Sequence, residues 1–243
     1  MAIINKTKLP RRLHVVSGKG GVGKSMFCRS LAWCWGSING SFVAFDADGS
    51  NATLARFLPN TTVVDVDGDG RISAWFERVV MPPLIASETR RVLLDLGSGA
   101  ERLFRGWAHT NDAPALLREV GVEITVWHLL DPSLDSISPL LDTVSALPDV
   151  EHAIVLNLGL AKGIHTYEPA AAFDAIRAEP EYLAVTEGRP VLKMPPLLEA
   201  ARIDRDDVTF EVAISDKSPL YLFERMRVYR WLHSMRSELA PWV

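Results

Sequence analysis

The chain has 243 residues, 48% of them hydrophobic and 23% charged, with a formal net charge of −4. That length and balance give an ordinary α/β chain a sizeable core without disulfides or structural metal, and they argue against a globally basic nucleic-acid binder. The two cysteines, Cys28 and Cys34, share one helical stretch with no CxxC partner and no nearby histidine, so a zinc or iron–sulfur site has little support and reduced thiols in a cytoplasmic protein are expected.

In chain order, MAIINKTKLPRRL lacks the apolar stretch of a secretory signal. Leu13 to Ser17 predicts a buried strand, followed by a glycine loop and by KSMFCRSLAWCWGSI, apolar at helical spacing. SFVAFDAD is a second apolar run, TTVVDV a short strand, and RISAWFERVV a helix up to the break at Pro82-Pro83. RRVLLDLGSG, VEITVWHLL and EHAIVLNLG are strong strands, and RPVLKMPP is a weaker one. Helical patterns occupy Asp112 to Val120, Leu134 to Ala146 and Glu168 to Ala178, and Lys217 to Leu239 predicts a long terminal helix after Pro219. No apolar run reaches membrane-spanning length, since GVEITVWHLL is short and interrupted by Glu123. Strands that are apolar throughout and alternate with helices predict a mainly parallel sheet flanked by helices on both faces. The expectation is one three-layer α/β domain over residues 1–243, with a lead-in at 1–11 and the terminal helix, 217–243, packed on it. Ligands of such sheets bind at the carboxyl ends of the strands, and every motif below falls at such an end.

Gly18-Lys19-Gly20-Gly21-Val22-Gly23-Lys24-Ser25 satisfies G-x-x-x-x-G-K-[ST] completely, between a strand and a helix. The pattern predicts a P-loop NTPase domain, the plain alternative being a glycine-rich turn that matches by accident. Glycines let backbone N–H groups turn inward around a phosphate, and the helix N-terminus adds positive potential. The phosphate contacts are assigned to Gly18, Gly20, Gly21, Val22, Gly23, Lys24, Ser25 and Met26. Lys24 reaches the β- and γ-phosphates and the Ser25 hydroxyl ligates Mg²⁺. Asp46 and Asp48, leaving the second strand, hold Mg²⁺ or orient water, or else form an Asx-type turn. Asp95, closing RRVLLD, is a second carboxylate for Mg²⁺.

KGGVGKS resembles the deviant Walker A motif of the ParA/MinD family of ATPases, and the similarity runs from Leu13 to about Ile203. The resemblance implies ATP or ADP as the nucleotide and a dimer that closes on ATP. It also implies that Lys19 crosses the interface to the partner's nucleotide, like an arginine finger. Asp46 and Asp48 match the family's D-x-D motif, Asp48 acting on the attacking water and Asp46 lying near the metal. Asn157 matches an asparagine that contacts the adenine edge, with a strand-end turn as its plain alternative. Met194 to Pro196, Pro195 included, match a loop that packs on adenine. Two departures stand out: Gly49-Ser50 replaces the usual proline and glutamine of the first switch, and Gly97-Ser98-Gly99 replaces the prolines after the Walker B aspartate.

DVDGDGRISAWFE imitates an EF-hand, but position twelve, which needs a bidentate glutamate, is Phe76. The stretch is similar to the segment after the first switch in plasmid-transfer ATPases of the TraL/StbB type, which the chain resembles most within the family. Guanine recognition needs N-K-x-D, and Asn157-Leu158-Gly159-Leu160 lacks its aspartate, so ATP is preferred to GTP. Arg225, Arg227, Arg230 and Arg236 give the terminal helix a basic side, suited to DNA phosphates, to a lipid surface, or simply to a solvated face. Lys6, Lys8, Arg11 and Arg12 form a second basic cluster with the same alternatives.

The resemblance implies an ATP-dependent dimerising switch of slow turnover that positions or partitions plasmid DNA or another cargo, helped by a protein partner that stimulates hydrolysis. DNA is engaged directly or through that partner, and a membrane surface ranks lower. The alternatives are a membrane-associated regulator and a metabolic kinase or ligase. A nitrogenase-type electron donor is disfavoured because Cys28 and Cys34 lie inside the first helix.

Overall fold

The computed structural model describes residues 11–48, 52–64, 73–86, 89–97, 99–162 and 167–243. The expectations placed on Lys6, Lys8, Gly49, Ser50, Ser98 and the turn from Asp65 to Ile72 lie outside those residues. The strands are β1 (Arg11–Ser17), β2 (Val43–Asp46), β3 (Thr62–Val63), β4 (Arg91–Asp95), β5 (Val122–Leu130), β6 (Glu151–Asn157) and β7 (Val191–Met194). They form one seven-stranded sheet in the order β3-β2-β4-β1-β5-β6-β7, with every neighbouring pair parallel. β1 lies between β4 and β5, so the chain crosses to one side of β1 for β2 and returns to the other for β5. Such a crossover point opens a crevice above the carboxyl ends of the strands.

The helices are α1 (Lys24–Gly36), α2 (Thr53–Phe57), α3 (Pro82–Ile85), α4 (Ala100–Thr110), α5 (Ala113–Glu119), α6 (Ile137–Ala146), α7 (Asp174–Ala178), α8 (Pro180–Thr186), α9 (Ala200–Arg205), α10 (Phe210–Ala213) and α11 (Leu222–Glu238). One layer packs Phe27, Leu31 and Trp35 of α1 with Trp231, Leu232 and Met235 of α11 against Val16, Leu93 and Trp127 of the sheet. The opposite layer packs Phe76, Phe104, Trp107 and Leu117 against Leu13, Val15 and Leu94. A third cluster covers β5 and β6 with Leu140, Phe173 and Ile176. Burial on both faces explains why the central strands read as continuous apolar runs instead of alternating.

Several elements differ from expectation. SFVAFDAD and TTVVDV contribute only Val43–Asp46 and the exposed pair Thr62–Val63 at the sheet edge. The helix through Trp75 loosens into a π-helical stretch at Phe76–Val80. Pro82-Pro83 does not end helical structure but opens α3, because a proline's fixed φ suits a first helical turn whose N–H groups lack acceptors. The long apolar period expected from Leu134 and from Glu168 begins in each case with a 3₁₀ turn, Leu134–Ser136 and Pro169–Phe173. The terminal helix starts at Leu222, later than Lys217, where Glu224 accepts the Tyr221 N–H at 2.7 Å.

His14, His128 and His152 sit inside the sheet, with His128 Nε2 2.9 Å from His152 Nδ1. Burial, more than the charge of His152, Arg189 and Arg105, holds His128 well below the ordinary imidazole range. A folded-state pKa below the unfolded one means that the unfolded chain binds more protons. The associated stability is therefore complete above about pH 6.5 and is lost as pH falls. Urea titrations between pH 6.5 and 5.5 should show a shallower pH slope for His128→Leu than for the parent, by up to about 1.4 kcal/mol per pH unit. Equal slopes would contradict the assignment.

Candidate nucleotide-binding site

The loop from Gly18 to Gly23 links the carboxyl end of β1 to the first turn of α1. Gly23 precedes α1 at φ +95°, a conformation that L side chains rarely adopt, and a Cβ there would lie 2.6 Å from Asn157 Nδ2. Asn157, at the end of β6, donates from Nδ2 to the Val22 carbonyl at 2.9 Å and accepts from the Gly159 N–H at 3.0 Å. Val22 itself is buried in the core, so side chain and carbonyl both pin the loop. Gly20 and Gly21 remain exposed along its rim, and Met26 is half-buried against the α1 core.

Lys24 is buried and curls back over the loop, donating to the Gly18 carbonyl at 2.8 Å and the Lys19 carbonyl at 3.0 Å. Ser25 Oγ donates to Asp95 Oδ2 at 2.7 Å. The other oxygen, Asp95 Oδ1, is buried and has no hydrogen-bond partner among the described residues. Burial first, then the negative charges of Asp46 and Asp48, push the Asp95 carboxyl up to about 7, against the opposing pull of Ser25 and Lys24. A buried carboxylate oxygen without a donor, beside a serine hydroxyl, is a donor set that suits a hard divalent cation.

Asp46 pairs in register with Asp95 across β2 and β4 and has no solvent exposure. Its carboxylate accepts from the Asp48 N–H at 3.0 Å, the Leu54 N–H at 2.9 Å and the Ala55 N–H at 3.3 Å. The first of these bonds is the Asx-type turn offered by the sequence as the alternative to a metal ligand, and the other two fasten the start of α2 to the end of β2. Burial raises the Asp46 carboxyl while the three N–H groups lower it. Asp48 follows, with its carbonyl accepting from the Ala52 N–H at 2.7 Å. Gly97 makes room for it, because a Cβ there would fall 2.7 Å from the Asp48 Cα.

On the other side of the loop, Lys19 Nζ lies 2.9 Å from Asp131 Oδ2, 2.9 Å from Asp135 Oδ1 and 2.5 Å from Ser133 Oγ. Sequence reading missed these three residues. The parallel pairing of β1 with β5, which sets Ser17 opposite His128, brings them alongside the loop. Met194 is buried, and Pro195, half-buried, accepts a hydrogen bond from Trp231 Nε1 at 2.7 Å through its carbonyl. The structure thus gathers Lys24, Ser25, Asp46, Asp48, Asp95 and Asn157 around one loop.

The chain has a MinD-like fold, with a complete G-x-x-x-x-G-K-[ST] loop between β1 and α1. MinD from Aquifex aeolicus superposes with a TM-score of 0.56 over 96% of this chain and 98% of its own, at 10% identity. A chain of the MinC:MinD cell division protein complex of the same organism gives 0.56 over 96% of this chain and 97% of its own, at 10% identity. The signal recognition particle receptor FtsY of Elizabethkingia anophelis gives 0.51, covering 94% of this chain and 66% of its own, at 14% identity. In sequence the chain is homologous to Protein TraL of Escherichia coli, 28% identical over 231 residues that cover 89% of this chain and 92% of TraL. A second Escherichia coli TraL is 26% identical over 229 residues. No protein-family model matches the chain.

Proposed function

We propose that this chain, as one domain over residues 1–243, is an ATP-dependent dimerising switch of the ParA/MinD type. It hydrolyses ATP slowly to position or partition plasmid DNA or another cargo, with plasmid maintenance or conjugation the favoured setting in the cytoplasm. The observation that carries this reading is Asp95 Oδ1, buried beside Ser25 at the foot of a complete P-loop and without a hydrogen-bond partner among the described residues. The TraL homologues support the plasmid-transfer branch read from the sequence.

On this reading Lys24 exchanges the Gly18 and Lys19 carbonyls for phosphate oxygens, and the backbone of Gly18, Gly20, Gly21, Val22, Gly23 and Met26 lines the phosphates. Ser25 and Asp95 hold Mg²⁺, which when bound neutralises charge on the phosphates, and Asp46 braces the strand end beside them. Asp48 orients the attacking water. Asn157 and Pro195 border the adenine, Asn157 also steadying the loop through Val22. Lys19 serves the nucleotide of a second copy, and a protein partner stimulates turnover.

The test is light-scattering mass in an Asp48→Ala background, which blocks turnover, with ATP, GTP or ADP and Mg²⁺. A dimer with ATP and a monomer with ADP are expected, and GTP should be the weaker ligand. A monomer in every nucleotide state would overturn the switch and leave a P-loop kinase or ligase. One further observation favours a surface-bound second reading: Tyr221, just before the terminal helix, and Leu222, Phe223, Met226 and Tyr229 on it are exposed, Phe223 to 72%. No helix among the described residues is long and apolar enough to cross a membrane. Liposome flotation with and without ATP separates a membrane-associated regulator from a DNA-associated one.

A further inference from the structure

We propose that the amino-terminal edge of the sheet carries a second, separate binding site, for an oxyanion of the size of inorganic phosphate, held by Arg90, Arg91 and the ring N–H of His14. At this edge, at the opposite end of β1 from the P-loop, lies a cavity of about 170 Å³. Arg12, His14, Arg90 and Arg91 border it on one side, Trp242 and Val243 on the other. The far wall is pinned: Trp242 donates from Nε1 to Glu151 Oε1 at 2.9 Å, and its carbonyl accepts from Trp35 Nε1 at 3.3 Å. Arg12 and Arg91 stand side by side in the parallel β1–β4 pair, a like-charge juxtaposition that costs stability unless something neutralises it. Arg12 is neutralised within the chain by Glu123 and by Glu151, the latter at 2.6 Å. Arg90 and Arg91 pair with no carboxylate among the described residues.

The groups left over are donors. The half-buried Arg91 guanidinium lies 5.7 Å over the Trp35 ring, and burial, followed by the charge of Arg90, lowers its pKa. A Cβ at Gly40 would fall 2.9 Å from Arg91 Nη1, so the missing side chain leaves the guanidinium its room. His14 is 1% exposed, and its Nδ1 accepts from Trp127 Nε1 at 3.2 Å. Burial first, then Arg12 and Arg91, hold this ring well below the ordinary imidazole range, so it is neutral and its one proton sits on Nε2. No acceptor among the described residues takes that proton. Two guanidinium forks and a buried N–H on one small cavity suit an oxyanion, because arginine meets phosphate and carboxylate oxygens with paired N–H groups. The volume is below the roughly 300–1,000 Å³ that larger organic ligands fill, which excludes a nucleotide and selects a small anion. Bound there, the anion joins the starts of β1 and β4 to the segment that follows α11.

The test is arginine labelling with phenylglyoxal, read residue by residue by mass spectrometry, with chloride keeping the ionic strength constant. Inorganic phosphate should protect Arg90 and Arg91 with half-protection below about 1 mM. Arg102 and Arg230, exposed elsewhere on the surface, should keep their rates. The readout is local, so phosphate bound at the P-loop does not register, and the same protection is expected in Lys24→Ala protein. The site therefore stands or falls independently of the proposed switch. Arg91→Gln should raise the midpoint, read at Arg90, about ten- to hundredfold, the scale of charge-assisted hydrogen bonds. His14→Phe keeps a ring beside Trp35 and loses the N–H, so it should raise the midpoint about three- to tenfold. Arg91→Lys keeps the charge without the fork and should fall between the parent and Arg91→Gln, a second reading should Arg91→Gln not fold. Half-protection above about 1 mM, or equal protection of Arg102 and Arg230, would overturn the site. So would a midpoint that the Arg91 and His14 variants leave unchanged. Protection of Arg90 and Arg91 by ATP at the same concentration would overturn the assignment to a small anion.

Discussion

Asp95→Asn is expected to raise the thermal stability of the nucleotide-free protein and, at the same time, to abolish Mg²⁺-dependent ATP hydrolysis. The carboxyl is buried, one oxygen has no partner among the described residues, and burial pushes its pKa up to about 7. Relative to an ordinary aspartate near 3.8, that shift corresponds to a penalty of about 4 kcal/mol once the group is fully ionised. Asparagine removes the charge, keeps an oxygen for Ser25 and places an amide where the orphan oxygen was. An unsatisfied amide returns part of the gain, leaving about 2 kcal/mol, or roughly 4–8 °C for a chain of this size. The sign follows from the pKa. With the folded value above the unfolded one, the folded chain binds more protons, so the parent's penalty is full above pH 7 and fades towards pH 4. Scanning calorimetry should therefore show a large Tm increase at pH 8 and a small one at pH 5. Equal Tm values at pH 8 would mean that Asp95 is solvated or paired, contrary to the geometry. Tighter folding joined to lost activity is what a residue held for a cation produces, because the strain it imposes is relieved only when the ion is bound.

The loop and the strands were legible because their signals are local. Four glycines in a fixed pattern define a phosphate cradle without reference to anything else in the chain, and unbroken apolar runs identify strands covered on both faces. α4 was missed because Glu101, Arg102, Arg105 and Gly106 interrupt its sequence, although Ala100, Phe104, Trp107 and Ala108 bury one stripe. Pro82 was read as a break, since the sequence alone does not show whether a proline ends one helix or begins another. The contacts that Lys19 makes with Asp131, Ser133 and Asp135 were illegible for a different reason. They depend on β5 lying beside β1, which brings together residues more than 110 positions apart. The same holds for Gly97, whose missing side chain matters only because Asp48 lies against it. Asp46 was placed correctly at the strand end, yet its three backbone partners include residues of α2 that no motif names.

Lys19→Ala should leave ATP binding nearly unchanged and lower turnover by about 10³-fold, the effect of losing a positive charge supplied across an interface to the transferring phosphate. Lys24 remains in its own loop to bind the phosphates, so affinity measured with a fluorescent ATP analogue is expected to move little. Lys24→Ala should instead abolish binding, which separates the two lysines by experiment. The decisive arrangement is a mixture. In a symmetric dimer each site combines its own Asp48 with the partner's Lys19. Lys19→Ala and Asp48→Ala proteins are then each inert alone, but a mixed dimer contains one site with both groups intact. Random pairing makes half the dimers mixed, with one working site in two, so an equimolar mixture should recover about a quarter of the parent rate. Activity that stays at the level of the separate variants would mean that Lys19 acts within its own chain. Its contacts with Asp131, Ser133 and Asp135 would then be its final position and not a waiting one.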